Sequence, residues 1–276
     1  MRWGEHMQGV RGKGPLTTAT IGLICSIGAA VPVHADGPIR SDLFTVFGHY
    51  HVTNGFSDRT FATTWGNAQF ASGLSVHAEA HYANREEEAA FFAAGVSHNT
   101  QSFSIRAMAG TSTDNFNMLP EVYGRLEATF RSPPETGWVF VPALTYREYP
   151  NHAHETEWEG QILKYVPLGK ATSLIFQGLA RTTWIHPGNH FVATFGGGVT
   201  YAEYRKFSVG VTAEAGRTAY DATLGIGSTN EPYVAVRPAV GVYLTDKIEL
   251  VAQGEFVDRP SYQIWGGHLG LKFYFD

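Results

Sequence analysis

A thirteen-residue stretch near the C-terminus, Gln263–Phe275, constrains the fold more than any other part of this chain. Every second residue gives Trp265, Gly267, Leu269, Leu271, Phe273 and Phe275 on one face. The other face carries Ile264, Gly266, His268, Gly270, Lys272 and Tyr274. Successive side chains of a strand point to opposite faces, so this is a strand with one greasy and one small or polar side. Segments of about ten residues with that alternation are the unit of a membrane-spanning β-barrel. A soluble sandwich strand can show the same pattern, so what matters is its recurrence along the whole chain.

Residues 1–35 read as an export signal. Arg2, Arg11 and Lys13 precede an apolar run from about Leu16 to Val31, and Val33-His34-Ala35 supplies the small-residue cleavage site before Asp36. The run is shorter than the roughly 20 apolar residues of a membrane helix, and Pro32 follows it. Cleavage after Ala35 leaves 36–276 as a single barrel domain. It also removes Cys25, the only cysteine, which excludes a disulfide framework and thiol catalysis from the mature chain.

The whole chain holds 20 Lys+Arg and 25 Asp+Glu; without Arg2, Arg11, Lys13 and Glu5 the balance is 17 to 24. A mildly acidic mature chain argues against a nucleic-acid partner, which would need a basic surface. With 31 glycines, 13% aromatics and no mature segment long and apolar enough for a transmembrane helix, the composition fits an outer-membrane barrel.

Period-two alternation predicts an all-β chain, a transmembrane antiparallel up-and-down β-barrel of about 14 strands. The first seven are expected at Leu43–Val52, Thr60–Phe70, Leu74–Ala83, Ala89–Ser97, Phe103–Thr111, Glu121–Arg131 and Trp138–Arg147. The rest are expected at Thr156–Val166, Thr172–Trp184, Phe191–Tyr204, Phe207–Arg217, Tyr233–Leu244, Lys247–Val257 and Gln263–Phe275. Demoting the weak pairs near Ala89 and Thr156 would give about 12 strands instead. Short connections alternate with longer ones (Thr53–Arg59, Asn84–Glu88, Ser112–Pro120, Glu148–Glu155, Ile185–His190, Thr218–Pro232, Asp258–Tyr262), as periplasmic turns alternate with outer loops. Pro142 and Pro238 fall inside strands and predict bulges or ladder breaks.

One face of the series is apolar, and Trp65, Tyr82, Trp138, Tyr146, Trp184, Tyr201 and Trp265 fall near strand ends, where an aromatic girdle belongs. The opposite face carries His77, Glu79, His81, Arg106, Glu121, Arg125, Glu127, Arg131, Arg147, Glu157, Glu159, Arg181, Glu214, Arg237, Glu249, Glu255 and Lys272. Charges facing lipid are costly, so these are expected to line the lumen. His77, Glu79, His81, Arg106, Arg125, Glu127, Arg147, Glu159, Arg181, Glu214, Arg237 and Glu255 are the lining candidates. They form either a structural network of paired charges or a polar path for a hydrophilic substrate.

Catalytic signatures are sparse. His77 and His81 lie too far apart along an extended strand, at ~7 Å per two residues, to chelate one ion, so no metal or cofactor is expected. His152, His154, Glu155 and Glu157 form an outer-loop cluster read as solvated polarity. Glu121, Glu127, Glu157 and Glu159 could supply a carboxylate pair only if the fold brought two of them to working distance. There is no Gly-x-Ser-x-Gly elbow.

The order Leu119-Pro120-Glu121-Val122-Tyr123-Gly124-Arg125-Leu126-Glu127, then Gly137-Trp138-Val139 running to Leu144-Thr145-Tyr146-Arg147-Glu148-Tyr149, then Glu157-Trp158-Glu159-Gly160-Gln161-Ile162-Leu163-Lys164-Tyr165, resembles the YaiO family of outer-membrane β-barrels. The resemblance extends over most of the mature chain and implies a Gram-negative outer-membrane location and a surface or exopolysaccharide-linked role. It carries over no catalytic residues. Asp276 after Phe275 departs from the terminal aromatic that the barrel assembly machinery reads. The expectations are therefore a porin-like pore, or a surface or export component for a hydrophilic, saccharide-type substrate. Outer-membrane lipid, lipopolysaccharide, the assembly machinery and polysaccharide are the expected partners. An enzyme acting on lipid or glycan at the rim and a closed structural barrel are the alternatives.

Overall fold

The computed structural model describes residues 40–54, 56–84, 88–113, 119–150, 152–188, 190–218 and 231–275. Residues 1–39, which include the expected export signal, residues 219–230 of a long connection, and Asp276 lie outside the described residues. Fourteen strands follow one another: β1 (Arg40–Val52), β2 (Arg59–Gln69), β3 (Leu74–Asn84), β4 (Glu88–Asn99), β5 (Phe103–Ser112), β6 (Val122–Arg131) and β7 (Trp138–Glu148), then β8 (His154–Pro167), β9 (Thr172–His186), β10 (His190–Glu203), β11 (Phe207–Thr218), β12 (Glu231–Thr245), β13 (Ile248–Asp258) and β14 (Gln263–Phe275). Each pairs antiparallel with its sequence neighbours, and β1 pairs with β14 from Ser41↔Phe275 to Val52↔Ile264, closing the barrel.

Closure follows from the solvent. Lipid offers no hydrogen bonds, so a sheet crossing it cannot leave an edge unpaired. The register shows the accompanying strand tilt. Asp42, near the start of β1, pairs with Asn67, which pairs with His77, and the same steps lead through Gly95, Met108, Arg125, Thr145, Glu157 and Thr183 to Val192, near the outer end of β10. A path perpendicular to the strands thus climbs the wall, as a sheared barrel requires.

The 12-strand alternative fails, because both weak segments extend into full strands. β4 reaches from Glu88 to Asn99 and β8 from His154 to Pro167, each paired on both sides. Strand growth also shortens two connections expected to be long: Asn84 pairs with Glu88, and Ile185 with His190, leaving three-residue links at 85–87 and 187–189. At Pro142 and Pro238 the structure has ladder breaks rather than bulges. The β6–β7 pairing skips from Glu127↔Ala143 to Phe130↔Phe140, and β12–β13 from Val236↔Phe256 to Ala239↔Gln253, both without a change of register. A register shift occurs instead near the β12–β13 turn, at Tyr243/Thr245.

The outer surface is a belt of exposed apolar side chains, including Phe47, Phe92, Trp158, Phe176, Phe195, Val240 and Leu269. Strand charges with the outward parity, such as Glu148, Lys164 and Glu203, lie at strand ends. Trp138, Tyr146, Trp184 and Trp265 are exposed near the ends, as a girdle requires. Trp65 is a correction: it pairs with Phe44 and Glu79, has the inward parity, and stacks on Phe44 at 5.3 Å between ring centroids.

Inside, the wall is uneven. Phe44, Val46, Tyr50 and Val52 of β1 join Phe61, Tyr233, Ala235, Val251, Val257, Tyr262 and Ile264 in a buried apolar cluster. The Phe61 ring lies flat across Gly48, where a Cβ would collide with it and with His268, so only glycine suits that position. Two outcomes test this account. Leu269→Arg on the lipid face should cost about 2–4 kcal/mol in urea titrations of the bilayer-inserted barrel. Gly48→Val should lower the temperature at which the barrel loses its fast-migrating folded form on gels.

Candidate functional site

Side chains of inward parity from β5 to β13 build a chain of ion pairs. Arg106 and Arg125 both meet the Glu127 carboxylate at 2.9 Å, and Arg125 reaches on to Glu159 at 3.1 Å and to the Thr145 hydroxyl at 3.0 Å. A second run starts at the outer side with Glu155 and Arg147 (3.4 Å) and passes through Glu157 (3.4 Å from Arg147) to Arg181 (3.9 Å). Arg181 then meets Glu214 at 3.5 Å, Glu214 meets Arg237 at 2.9 Å, and Arg237 meets Glu255 at 2.7 Å. The Tyr233 hydroxyl donates to Glu214 and lies 3.1 Å from the Thr194 hydroxyl. The two runs meet on β8, where Glu157 and Glu159 share the inner face and Glu159 is the register partner of Arg181.

Alternation explains why the belt exists. With lipid outside, each strand sends its polar set inward, and antiparallel pairing sets an arginine of one strand beside a glutamate of the next, as in Arg106↔Glu127 and Glu159↔Arg181. Arg147, Glu157, Arg181, Glu214, Arg237 and Glu255 are all less than a tenth exposed. At that burial each charge needs its partner, since removing one member strands the other in a poorly solvated site.

The remaining lining candidates take separate partners. Glu79 accepts a hydrogen bond from the Trp65 indole. His77 Nε2 lies 2.9 Å from the Ser97 hydroxyl, and His81 Nδ1 lies 2.6 Å from the Thr63 hydroxyl, with Arg59 at 3.3 Å from its Nε2. His77 and His81 are thus held apart by different neighbours. Glu249 accepts from the Tyr274 hydroxyl, and Lys272 faces Asp42 across the closing β1–β14 seam at 3.7 Å. Glu121 is a correction, because it precedes β6 and is exposed rather than lining the wall.

The outer-loop cluster also comes apart. His152 sits in the turn, His154 stacks on His186 with centroids 4.8 Å apart on the outer face, and Glu155 and Glu157 turn inward to Arg147. Of the four acids considered for a cleavage pair, Glu127, Glu157 and Glu159 are each bound to arginine. In the loop after β1, desolvation pushes the Asp58 carboxyl up, but the Val52 N–H and the His51 and His49 imidazoles outweigh it and hold Asp58 below the usual carboxylate range. This acid caps the loop rather than serving as a proton donor near neutral pH.

Sequence reasoning missed the inner aromatic wall of Phe44, Tyr50, Phe61 and Trp65. Its signal is β1 itself, where Leu43 and Phe47 face out while Phe44, Val46 and Tyr50 face in, so the strand is apolar on both sides. Gln161, Gln253 and His268, all buried on the inner face, were also outside the candidate set.

No family model matches the chain, and no curated protein matches it. Among solved structures it is similar to a "Bacterial polysaccharide outer membrane secretin", with 9% identity, a TM-score of 0.53, and coverage of 87% of this chain and 99% of that one. It is also similar to the Acinetobacter baumannii outer membrane protein Omp33 (15% identity, TM-score 0.49, 86% and 99% coverage) and to Salmonella typhi OmpF (10% identity, TM-score 0.48, 89% and 100%). At such identities the likeness is one of fold. The fold is that of Gram-negative outer-membrane barrels, and the apolar outer belt suits it to the outer membrane.

Replacing Arg237 with leucine should destabilise the barrel by about 3–5 kcal/mol, because Glu214 and Glu255 lose a shared buried partner. The double change Arg237→Leu with Glu255→Leu should recover much of that loss. Denaturant unfolding of both variants in micelles checks the order.

Proposed function

We propose that this outer-membrane barrel is a pore or export component that carries a hydrophilic, saccharide-type solute through a lumen narrowed by the Arg–Glu belt. The observation that carries the reading is the pair of ion-paired runs that meet on β8 and together extend from Arg106 to Glu255. Buried ion pairs seldom add stability over apolar packing of equal volume, so stability alone does not account for eleven charged groups on one wall. A path for a polar solute does. Arginine and glutamate can exchange bonds with one another for two-pronged hydrogen bonds to sugar hydroxyls, and Trp65, partly buried at the edge of the aromatic wall, offers a ring for stacking.

The exopolysaccharide-linked role implied by the YaiO resemblance belongs to this proposal. So do outer-membrane lipid and lipopolysaccharide as surroundings of the apolar belt, and the barrel assembly machinery as the partner for insertion. The polysaccharide role in the name of the similar secretin belongs to that protein; here the substrate class rests on the lining. A second reading, a closed structural barrel, is favoured by the low exposure of the belt side chains. The rim enzyme has less support, because Glu155 and Glu157 are engaged with Arg147 and His154 with His186.

Single-channel recording separates the first two. The belt pairs five arginines with six glutamates, so the wild-type barrel should show small steps with weak ion preference. Arg237→Ala should raise the conductance and shift preference toward cations. Silence of both proteins, correctly folded by heat modifiability, would favour the closed barrel.

A further inference from the structure

Just to the short-turn side of the belt, several inner side chains have hydrogen-bonding capacity that the protein does not use. Gln161 stands two residues along β8 from Glu159 and gives its amide N–H to that glutamate at 3.0 Å, while its Oε1 has no partner. Gln253 stands in the same relation to Glu255 on β13, and its Nε2 is unpartnered. His268, the register partner of Gln253 on β14, has an unpartnered Nδ1. Gln161, Gln253 and His268 are each more than nine-tenths buried. On β2, Asn67 lies two residues beyond Trp65 on the same face, and its Oδ1 is unpartnered as well.

Buried polar groups are nearly always satisfied, so a set of open donors and acceptors on separate strands calls for an explanation. The belt arginines and glutamates bind one another, with Arg106 Nε left over, whereas the amides and the imidazole carry no charge to pair and remain open. Two residues from Asn67 on the same face of β2 stands Trp65, a partly buried ring backed by the buried Phe44 at 5.3 Å between centroids. By strand order β1 and β2 lie across the barrel from β8. Uncharged donors and acceptors around an aromatic face complement a neutral sugar ring, which presents hydroxyls at its edge and C–H groups on its face.

We infer that the inner wall on the short-turn side of the belt is a binding station for an uncharged oligosaccharide, with Trp65 as the stacking platform and Asn67, Gln161, Gln253 and His268 as hydrogen-bonding partners. The inference deepens the passage reading above and rests on it for the route by which the sugar arrives. It also narrows the substrate class. An acidic glycan would need unspent cations, and the belt arginines are already bound to glutamates.

The test is calorimetric titration of the refolded barrel in detergent micelles with cellohexaose, and with hexagalacturonate as the acidic comparison. Saturable binding of cellohexaose alone is expected. Gln253→Leu and Gln161→Leu should each weaken it roughly tenfold, the effect of one hydrogen bond, and the lipid-facing Leu271→Ala should leave it unchanged. Heat modifiability confirms that each variant is folded, and two glutamine variants on different strands guard against the loss of either. No saturable binding by the wild type, binding of hexagalacturonate in preference, or wild-type affinity in both glutamine variants would overturn the station. Ion conductance without cellohexaose binding would remove the station and leave the passage. Binding in a barrel silent across bilayers would support the station and remove the passage.

Discussion

Everything in this barrel follows from the inability of lipid to hydrogen-bond a peptide group. An open edge in the membrane would leave a row of unsatisfied N–H and C=O groups, so β1 must find β14, and twelve residue pairs join them. Once the ring is closed, each strand has one side in hydrocarbon and one side enclosed. The sorting of side chains, Phe47 and Leu269 outward and Glu157 and Arg237 inward, is then a consequence of alternation alone.

Enclosing charge has its own cost. A buried guanidinium or carboxylate is tolerable only beside its opposite, and the register supplies the opposite from the neighbouring strand. On β1 and β2, between Asp42 near one end and Arg59 at the other, the interior turns to aromatic packing against Ile264, Val251 and Tyr233. The lumen therefore has an ionic arc and an apolar arc, and the uncommitted amides occur beside both.

The architecture was legible in the sequence because period two survives even in single strands, as Gln263–Phe275 shows. All fourteen strands stand where alternation indicates, with ends extended by ladder pairing that no single strand reveals, as at Glu88 and His154. The inward parity of Arg106, Arg181 or Glu214 is local information. Their pairing is not: Arg125 meets Glu159 from two strands away, and Arg181 meets the Tyr233 hydroxyl from three. Trp65 was misread because strand-end position suggested a girdle, whereas parity decides which side a ring occupies. Glu121 was misread because the strand starts one residue later.

The two proline positions have a mechanical meaning. At Pro142 the β6–β7 ladder omits two pairs while keeping register, and the adjoining β5–β6 ladder is short, running from Phe103↔Phe130 to Gly110↔Tyr123. The seam between the chain's two ends is, by contrast, long and backed from within by Val46, Tyr50 and Ile264. In a pulled or heated barrel the first tear would therefore run along β6, midway round the sheet, and the place where the chain joins itself would be among the last to part.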